Sequence, residues 1–303
     1  MTTENTPKRR PRQRDLLAPL DALTPGQQRV IACLARYRYM TVRQFVDAGA
    51  GKHESTVRDH LLYRLARRVR GNLLQYREYF AVSAHRRRPF VYALTQHGAT
   101  VAAELLDVEA ESIRYPVGGI AHVHDYEHRE AYIDVCIALD RWAEAGEARE
   151  TLFLSHYFDK TGANRKGIPS HSVNRFALPG DLGNVEPDGI FFVDTGTKRR
   201  ALALELNNTT DTKRAVEKLL KLTHAVQSGC ISEHLGHDKA NFVLSVAMTP
   251  EASALIRSRI ATAKGFATFS PAFLFNDLAT IKESGFASGW KYADGSSAEG
   301  VFE

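Results

Sequence analysis

The hydrophobic periodicity near the start of the chain changes at Gly71-Asn72, from a helical spacing to an alternation of two. Before this point apolar residues recur three and four positions apart, as they do along one face of an α-helix. After it, Leu74 and Tyr76, and then residues 91–94, follow the pattern of two paired strands. The pattern predicts a group of helices followed by a hairpin.

Four positions carry helix-start signals. Thr24 and Thr41 are each followed three residues later by glutamine, which is the pattern of a capping box. Ser55 is predicted to cap a third helix, and Thr95 to cap a helix that follows the hairpin. The apolar residues of the third helix are spaced to share one face; they are Val57, Leu61 and Leu65.

Two basic features lie on the third helix and on the tip of the hairpin. The arginines are Arg58, Arg64, Arg67 and Arg68 on the helix, and Arg86, Arg87 and Arg88 at the tip. This order of elements is typical of a winged helix-turn-helix, in which one helix enters the major groove and basic side chains hold phosphates. The sequence therefore predicts a unit that binds double-stranded DNA over residues 22–113. The alternative is a small helical domain that binds another protein.

Residues 1–21 are predicted to form a disordered basic arm, because like charges repel and few apolar residues can be buried. The arm either contacts phosphate or acts as a solubilising tail. The three cysteines form no CxxC pair, and no apolar run reaches the length of a membrane span. We therefore expect a cytoplasmic protein with no membrane partner.

Residues 114–303 change to an α+β pattern with the order αβββαβ. Two of its strands, near residues 190–193 and 201–206, are joined by a short turn. Asp188 precedes the first strand within Glu186-Pro187-Asp188-Gly189, and Glu205 lies on the second. Adjacent antiparallel strands bring two such carboxylates within reach of one Mg2+ or Mn2+ ion, which can activate water against a phosphate.

This arrangement resembles the PD-(D/E)XK nuclease motif, whose second acid is followed two residues later by lysine. Asn207 stands in the lysine position. The resemblance implies that a lysine of the following helix substitutes for it, and Lys218 and Lys221 are the candidates. It also implies that a residue of the first helix, His124 or Glu127, lies beside Asp188 and Glu205 as a metal ligand. The alternative is an inactive copy of the restriction-endonuclease-like fold that is kept for DNA binding.

A second metal pattern is His122-Val123-His124, which matches the histidine pair of tyrosine relaxases. In those enzymes the pair lies on a strand, whereas here it is predicted to open a helix, which directs the side chains differently. A pair of histidines at a helix start is the simpler interpretation.

The chain as a whole resembles the replication-relaxation family of plasmids and integrative elements over about residues 24–280. The matching pieces are residues 91–98, the start of the helix at His124-Asp125, Pro187-Asp188-Gly189 and residues 203–207 with lysines downstream. Its layout is also similar to that of mobilisation relaxases with a restriction-endonuclease-like fold. The resemblance implies a nickase or relaxase that acts in mobilisation or replication alongside other such proteins. The alternative is a non-catalytic accessory factor or transcriptional regulator.

Overall fold

The computed structural model describes residues 23–68, 71–80, 87–116, 118–120, 126–146, 150–154, 174–194, 199–208, 211–235 and 242–302. The chain divides into two compact units, with the division between Gly119 and Ile120. Both units combine helices and strands, in agreement with the predicted α+β class. In the described part of the chain, no helix has the length and apolar character needed to cross a membrane. The basic arm, His122-Val123-His124 and Arg86 lie outside the described residues.

The first unit contains four helices and one hairpin within its described residues. In chain order they are α1 (Pro25–Tyr37), α2 (Val42–Asp47), α3 (residues 54–66), β1 (Leu74–Phe80), β2 (Arg87–Leu94) and α4 (Gln96–Leu106). Both predicted capping boxes are confirmed: Thr24 and Thr41 each exchange hydrogen bonds with the glutamine three residues later. Thr95 caps α4 as predicted, because its hydroxyl accepts a hydrogen bond from the Gly98 amide at 3.0 Å.

Helix α3 differs from the prediction in both its start and its buried face. It begins at Glu54, so that Ser55 lies inside the helix rather than capping it. Its central stretch, Val57–Leu62, is π-helical. A π-turn pairs residues five apart, so Val57 is followed on the buried face by Leu62 and not by Leu61, which is only half-buried. Leu65 is buried as predicted.

The hairpin pairs β1 with β2 in antiparallel register, with Tyr76 opposite Tyr92 and an irregularity between Arg77 and Tyr79. Met40 extends it through two backbone hydrogen bonds with Tyr92, of 2.9 and 3.1 Å. The inner end of β2 is buried against the helices, whereas its outer end, at Arg87, is exposed. The hairpin is therefore anchored at one end and presents its basic end to solvent.

At Gly98, α4 packs closely against the chain that precedes β1. A methyl group at this position would overlap the carbonyl oxygen of Leu73, which is backbone and cannot move aside as a side chain can. We expect Gly98→Ala to lower the free energy of unfolding by about 1–3 kcal/mol, although alanine favours a helix. Urea unfolding checks this against Gly118→Ala, whose added methyl group meets nothing within 4 Å. Equal stability of the two variants would contradict the packing.

The second unit contains a five-stranded sheet, a two-stranded ribbon and five helices within its described residues. In chain order they are α5 (Tyr126–Glu144), β3 (Glu150–Leu154), β4 (Phe176–Ala177), β5 (Asn184–Val185), β6 (Gly189–Asp194), β7 (Arg199–Asn207), α6 (Thr212–Ser228), α7 (Cys230–Leu235), β8 (Phe242–Ala247), α8 (Pro250–Ala261), β9 (Phe273–Asp277) and α9 (Leu278–Ser284). The elements therefore follow the predicted order αβββαβ, with short additions.

The five-stranded sheet has the order β3-β6-β7-β8-β9, with β7 at its centre. Strand β6 pairs antiparallel with both β3 and β7. Strand β8 pairs parallel with both β7 and β9. Apolar residues of α6, such as Leu219 and Leu222, pack with Ala203 of β7 in one core. On α5, Tyr132 contacts Phe191 of β6 at 6.1 Å between ring centroids. Strand β7 is buried from Ala201 to Asn207, so a charged residue in that stretch is costly unless it is compensated.

Candidate functional site

Asp188 and Glu205 are buried carboxylates on neighbouring strands, with exposed fractions of 4% and 3%. Asp188 immediately precedes β6, and its amide donates to Leu204 of β7 at 2.9 Å. Its Oδ2 accepts a hydrogen bond from the Leu206 amide at 2.8 Å. The pairing of β6 with β7 thus fixes Asp188 beside the stretch that carries Glu205. This is the juxtaposition that the sequence predicted.

Lys218 reaches both carboxylates from α6. Its Nζ lies 2.6 Å from Glu205 Oε2 and 3.5 Å from Asp188 Oδ1. Lys221, the other candidate, has an exposed side chain. Around the helix axis Lys221 lies about 60° from Lys218, on the side away from the stripe formed by Leu219 and Leu222. Of the two predicted lysines, the structure therefore brings Lys218 to the carboxylates and leaves Lys221 on the solvent side.

His128 is the residue of α5 that meets this group of side chains. Its Nε2 lies 3.4 Å from Asp188 Oδ2 and 3.2 Å from the Leu206 carbonyl oxygen. Gly189 permits this approach, because any side chain there would overlap the Tyr132 phenol one helical turn after His128. Glu127, the predicted metal ligand, is exposed one position earlier. His124 lies outside the described residues.

A sequence signal for His128 was present in the apolar stripe of α5. His128, Tyr132, Val135 and Leu139 follow one another at four- and three-residue spacings, and all four are buried. A histidine in that stripe faces the sheet, whereas Glu127, which the sequence favoured, is exposed and does not share its face.

Asn207 is buried at the end of β7, on the same face of the strand as Glu205 because alternate residues share a face. Its Nδ2 donates to Ser245 Oγ of β8 at 3.1 Å. The amide is thus oriented by the neighbouring parallel strand. It adds polarity to the site without the positive charge that a lysine would supply.

Four ionisable groups in contact shift one another's pKa values. Burial would raise the pKa of Asp188, but the hydrogen bond from His128 and the charge of Lys218 lower it to about 2. Burial, and then repulsion from Asp188, raise the pKa of Glu205 well above its ordinary value despite Lys218. Burial opposes the charge on Lys218, but the two carboxylates outweigh it and raise its pKa. The pKa of His128 is likewise raised by Asp188 against its own burial.

The residues present suit a magnesium-type cation better than a zinc-type one. The described residues contain no group of three or more histidine, cysteine or acidic side chains that could hold a metal. Mg2+ needs only one or two carboxylates, because waters and substrate phosphates complete its coordination. Glu205 Oε2 lies 2.6 Å from the Lys218 ammonium. A cation that takes this oxygen as a ligand would therefore compete with Lys218 for it.

The first unit carries the described arginines of the prediction in three places: on α3 (Arg58, Arg64), directly after its last residue (Arg67, Arg68) and on β2 (Arg87, Arg88). Arg64 is exposed, whereas Arg58 forms an ion pair with Asp59 at 2.9 Å and Arg87 one with Glu78 at 3.2 Å. Arg67 lies over the Tyr63 ring, 4.7 Å from its centroid. Arg68 and Arg88 are half-buried. Arg58, Arg64, Arg67 and Arg87 are thus the exposed ones among the predicted arginines that the structure describes.

Comparison of the chain with protein-family models, with curated proteins and with solved structures gave no match. The function is therefore inferred from the site and the surfaces themselves.

Proposed function

We propose that this chain is a DNA-binding protein of a plasmid or integrative element that nicks DNA with the help of Mg2+ or Mn2+. In this proposal the first unit is a winged helix-turn-helix and the second a restriction-endonuclease-like nuclease or relaxase. The observation that carries the proposal is that Asp188, Glu205 and Lys218 converge: both carboxylates lie within 3.5 Å of the lysine ammonium. Metal-dependent phosphodiester cleavage requires a cation ligand set with a positive charge beside it.

Each residue of the site has a distinct part in the proposed reaction. Asp188 and Glu205 would hold the cation, which when bound polarises the phosphate and lowers the pKa of an attacking water. Lys218 offsets the negative charge that develops on the phosphate. The Leu206 amide and His128 hold Asp188 in position through its Oδ2, which leaves Oδ1 directed toward Lys218.

The direct experiment incubates the full chain with supercoiled plasmid DNA in Mg2+, in Mn2+ and in EDTA. The plasmid should include DNA from beside the coding sequence, where a replication or transfer origin would lie. Conversion of supercoiled to open-circular DNA in the metal lanes alone supports the proposal. Absence of nicking on every substrate, or nicking that persists in EDTA, contradicts it.

Accessible arginines on two neighbouring elements support DNA binding by the first unit. We expect Arg64→Ala combined with Arg87→Ala to weaken duplex binding and to reduce the slope of log affinity against log salt by up to about two. Each phosphate contact releases counterions and contributes about 0.9 to that slope. Fluorescence anisotropy at several salt concentrations measures it, with Arg199→Ala as control because that exposed arginine lies in the other unit and is paired with Asp194. An unchanged slope would mean that these arginines do not contact phosphate.

A second candidate function, a DNA-binding accessory factor or regulator without catalysis, is favoured by one observation. Lys218 already compensates both carboxylates, and the position two residues after Glu205 holds the neutral Asn207. In such a protein the buried ionic group would only stabilise the fold. The two candidates differ in metal binding by the wild type, since a closed ionic group would bind no Mn2+ while Lys218 is paired with both carboxylates.

A further inference from the structure

The exposed surface of α3 and β1 includes two large aromatic side chains. Tyr63 and Tyr76 have exposed fractions of 55% and 47%, among the highest of the large apolar and aromatic residues that the structure describes. Arg67 lies between them: it stacks on Tyr63, donates to the Tyr63 hydroxyl at 3.2 Å and is hydrogen bonded to Tyr76. We call Tyr63, Arg67 and Tyr76 the aromatic–arginine strip.

The π-helical stretch of α3 brings Tyr63 into line with Arg58 and Arg67 along one side of the helix. Five residues separate Arg58 from Tyr63, which in a regular α-helix would place them about 140° apart. Here the Tyr63 amide donates to the Arg58 carbonyl oxygen, a hydrogen bond between residues five apart. Arg58 and Tyr63 therefore follow one another along the helix, and Arg67 comes one α-helical turn later. Segments of π-helix interrupt the regular hydrogen bonding of an α-helix, and they are frequent at functional sites.

Tyr76 is held in place by other rings of the hairpin. Its ring centroid lies 5.7 Å from that of Phe90 and 5.8 Å from that of Tyr92, the residue opposite it on β2. Tyr92 is buried. Neighbouring aromatic rings on one face of a hairpin stabilise each other's orientation. The exposed part of the Tyr76 ring is thus held by a rigid support and loses little entropy on binding.

The contacts of Arg67 distinguish between two nucleic-acid ligands, a base-paired duplex and an unpaired strand. An arginine that reads a base edge in a duplex extends its guanidinium into the groove. The guanidinium of Arg67 instead lies over the Tyr63 ring, 4.7 Å from its centroid, and donates to the Tyr63 hydroxyl. A cation beside two exposed aromatic rings suits unpaired bases, whose faces are free to stack on the rings. A base-paired duplex keeps those faces covered.

We propose that the aromatic–arginine strip binds single-stranded DNA by stacking unpaired bases on Tyr63 and Tyr76 beside the guanidinium of Arg67. The positive charges of the surrounding arginines attract the backbone of the strand, and the rings supply affinity that does not depend on sequence. The inference rests on DNA being the partner of the first unit, as proposed above. It adds a preference for the unpaired strand that is exposed where the duplex is opened.

The test measures binding of the full chain, in EDTA, to a fluorescent 20-nucleotide strand and to the duplex of the same sequence. Tyr63→Leu with Tyr76→Leu should weaken single-strand binding by about 10- to 100-fold, since stacking of each base contributes strongly. Duplex binding should change by less than about threefold, because it depends on the other arginines. Tyr63→Phe with Tyr76→Phe retains the rings and should keep most of the single-strand affinity. Thermal unfolding of both double variants checks that the hairpin is intact.

Three results would overturn the inference. One is equal weakening for strand and duplex in the leucine variant, which would assign the strip to duplex binding. Another is equal loss in the phenylalanine and leucine variants, which would mean that the hydroxyl groups, and not the ring faces, matter. The third is unchanged single-strand binding in both, which would leave the strip to a protein partner. If wild-type protein binds neither form of DNA, the proposed function itself fails.

Discussion

Asp188→Asn should abolish Mn2+ binding in a calorimetric titration and abolish nicking of supercoiled DNA. The substitution removes one of the two carboxylates that would hold the cation, and with it half of the negative charge of the ligand set. It conserves shape, and the amide oxygen of asparagine can still accept the hydrogen bond from Leu206 that positions this loop. The loss of binding should therefore come from the missing charge and not from a rearranged strand.

Asp134→Asn is a matched control for that experiment. Asp134 is also a buried aspartate of the second unit, with Lys282 3.2 Å away as its cation, but it lies on α5 away from β7. Its replacement should destabilise the fold and yet leave the affinity for Mn2+ unchanged. If Asp134→Asn and Asp188→Asn titrate alike, the metal has been assigned to the wrong carboxylate.

The dependence of the wild-type affinity on pH gives a second check. Burial and the charge of Asp188 raise the pKa of Glu205 well above its ordinary value. A ligand must lose its proton to bind a metal, so the affinity should increase as the pH rises through the raised pKa of Glu205. Asp188→Asn should show no metal binding across the same range. A wild-type affinity that falls with rising pH would contradict the assignment of Glu205.

The sequence predicted the parts of the fold that depend on local patterns. The capping boxes at Thr24 and Thr41 and the paired strands around Asp188 and Glu205 follow from residues close together in the chain. It did not predict the π-helical stretch of α3, because the choice of Leu62 over Leu61 for the core depends on packing against other elements. Periodicity assumes one regular helix and has no means of locating a change of pitch.

The candidate site was likewise predicted where it depends on local patterns and missed where it depends on packing. A motif spacing was enough to select Asp188 and Glu205, but two lysines on α6 remained equivalent until the packing of that helix showed which one faces β7. The apolar stripe of α5 indicated that His128 faces the sheet, but its partner there, the Leu206 carbonyl oxygen, is 78 residues away in the chain and does not follow from spacing. The segment after α9 was also missed. Its buried Phe286, Trp290 and Phe302 are scattered among small and polar residues without a regular period.

Lys218→Met should affect catalysis and metal binding in opposite directions. Methionine retains much of the side-chain length and removes the charge, so the negative charge that develops on the phosphate is no longer offset. Loss of such an interaction slows the chemical step by about 10²- to 10³-fold. The affinity for Mn2+ should rise, because an ammonium 2.6 Å from Glu205 no longer competes with and repels the cation.

Lys221→Met provides the matched control, since it removes the same charge from the exposed side of the same helix. It should nick DNA and bind Mn2+ as the wild type does, and both variants should bind duplex DNA equally well. Equal nicking rates for Lys218→Met and wild type would exclude Lys218 from the reaction. If the wild type does not nick but Asn207→Lys does, the second unit has the fold of a nuclease and lacks only the motif lysine. A lower Mn2+ affinity in Lys218→Met would show that the ammonium supports the carboxylates as ligands and does not compete for them.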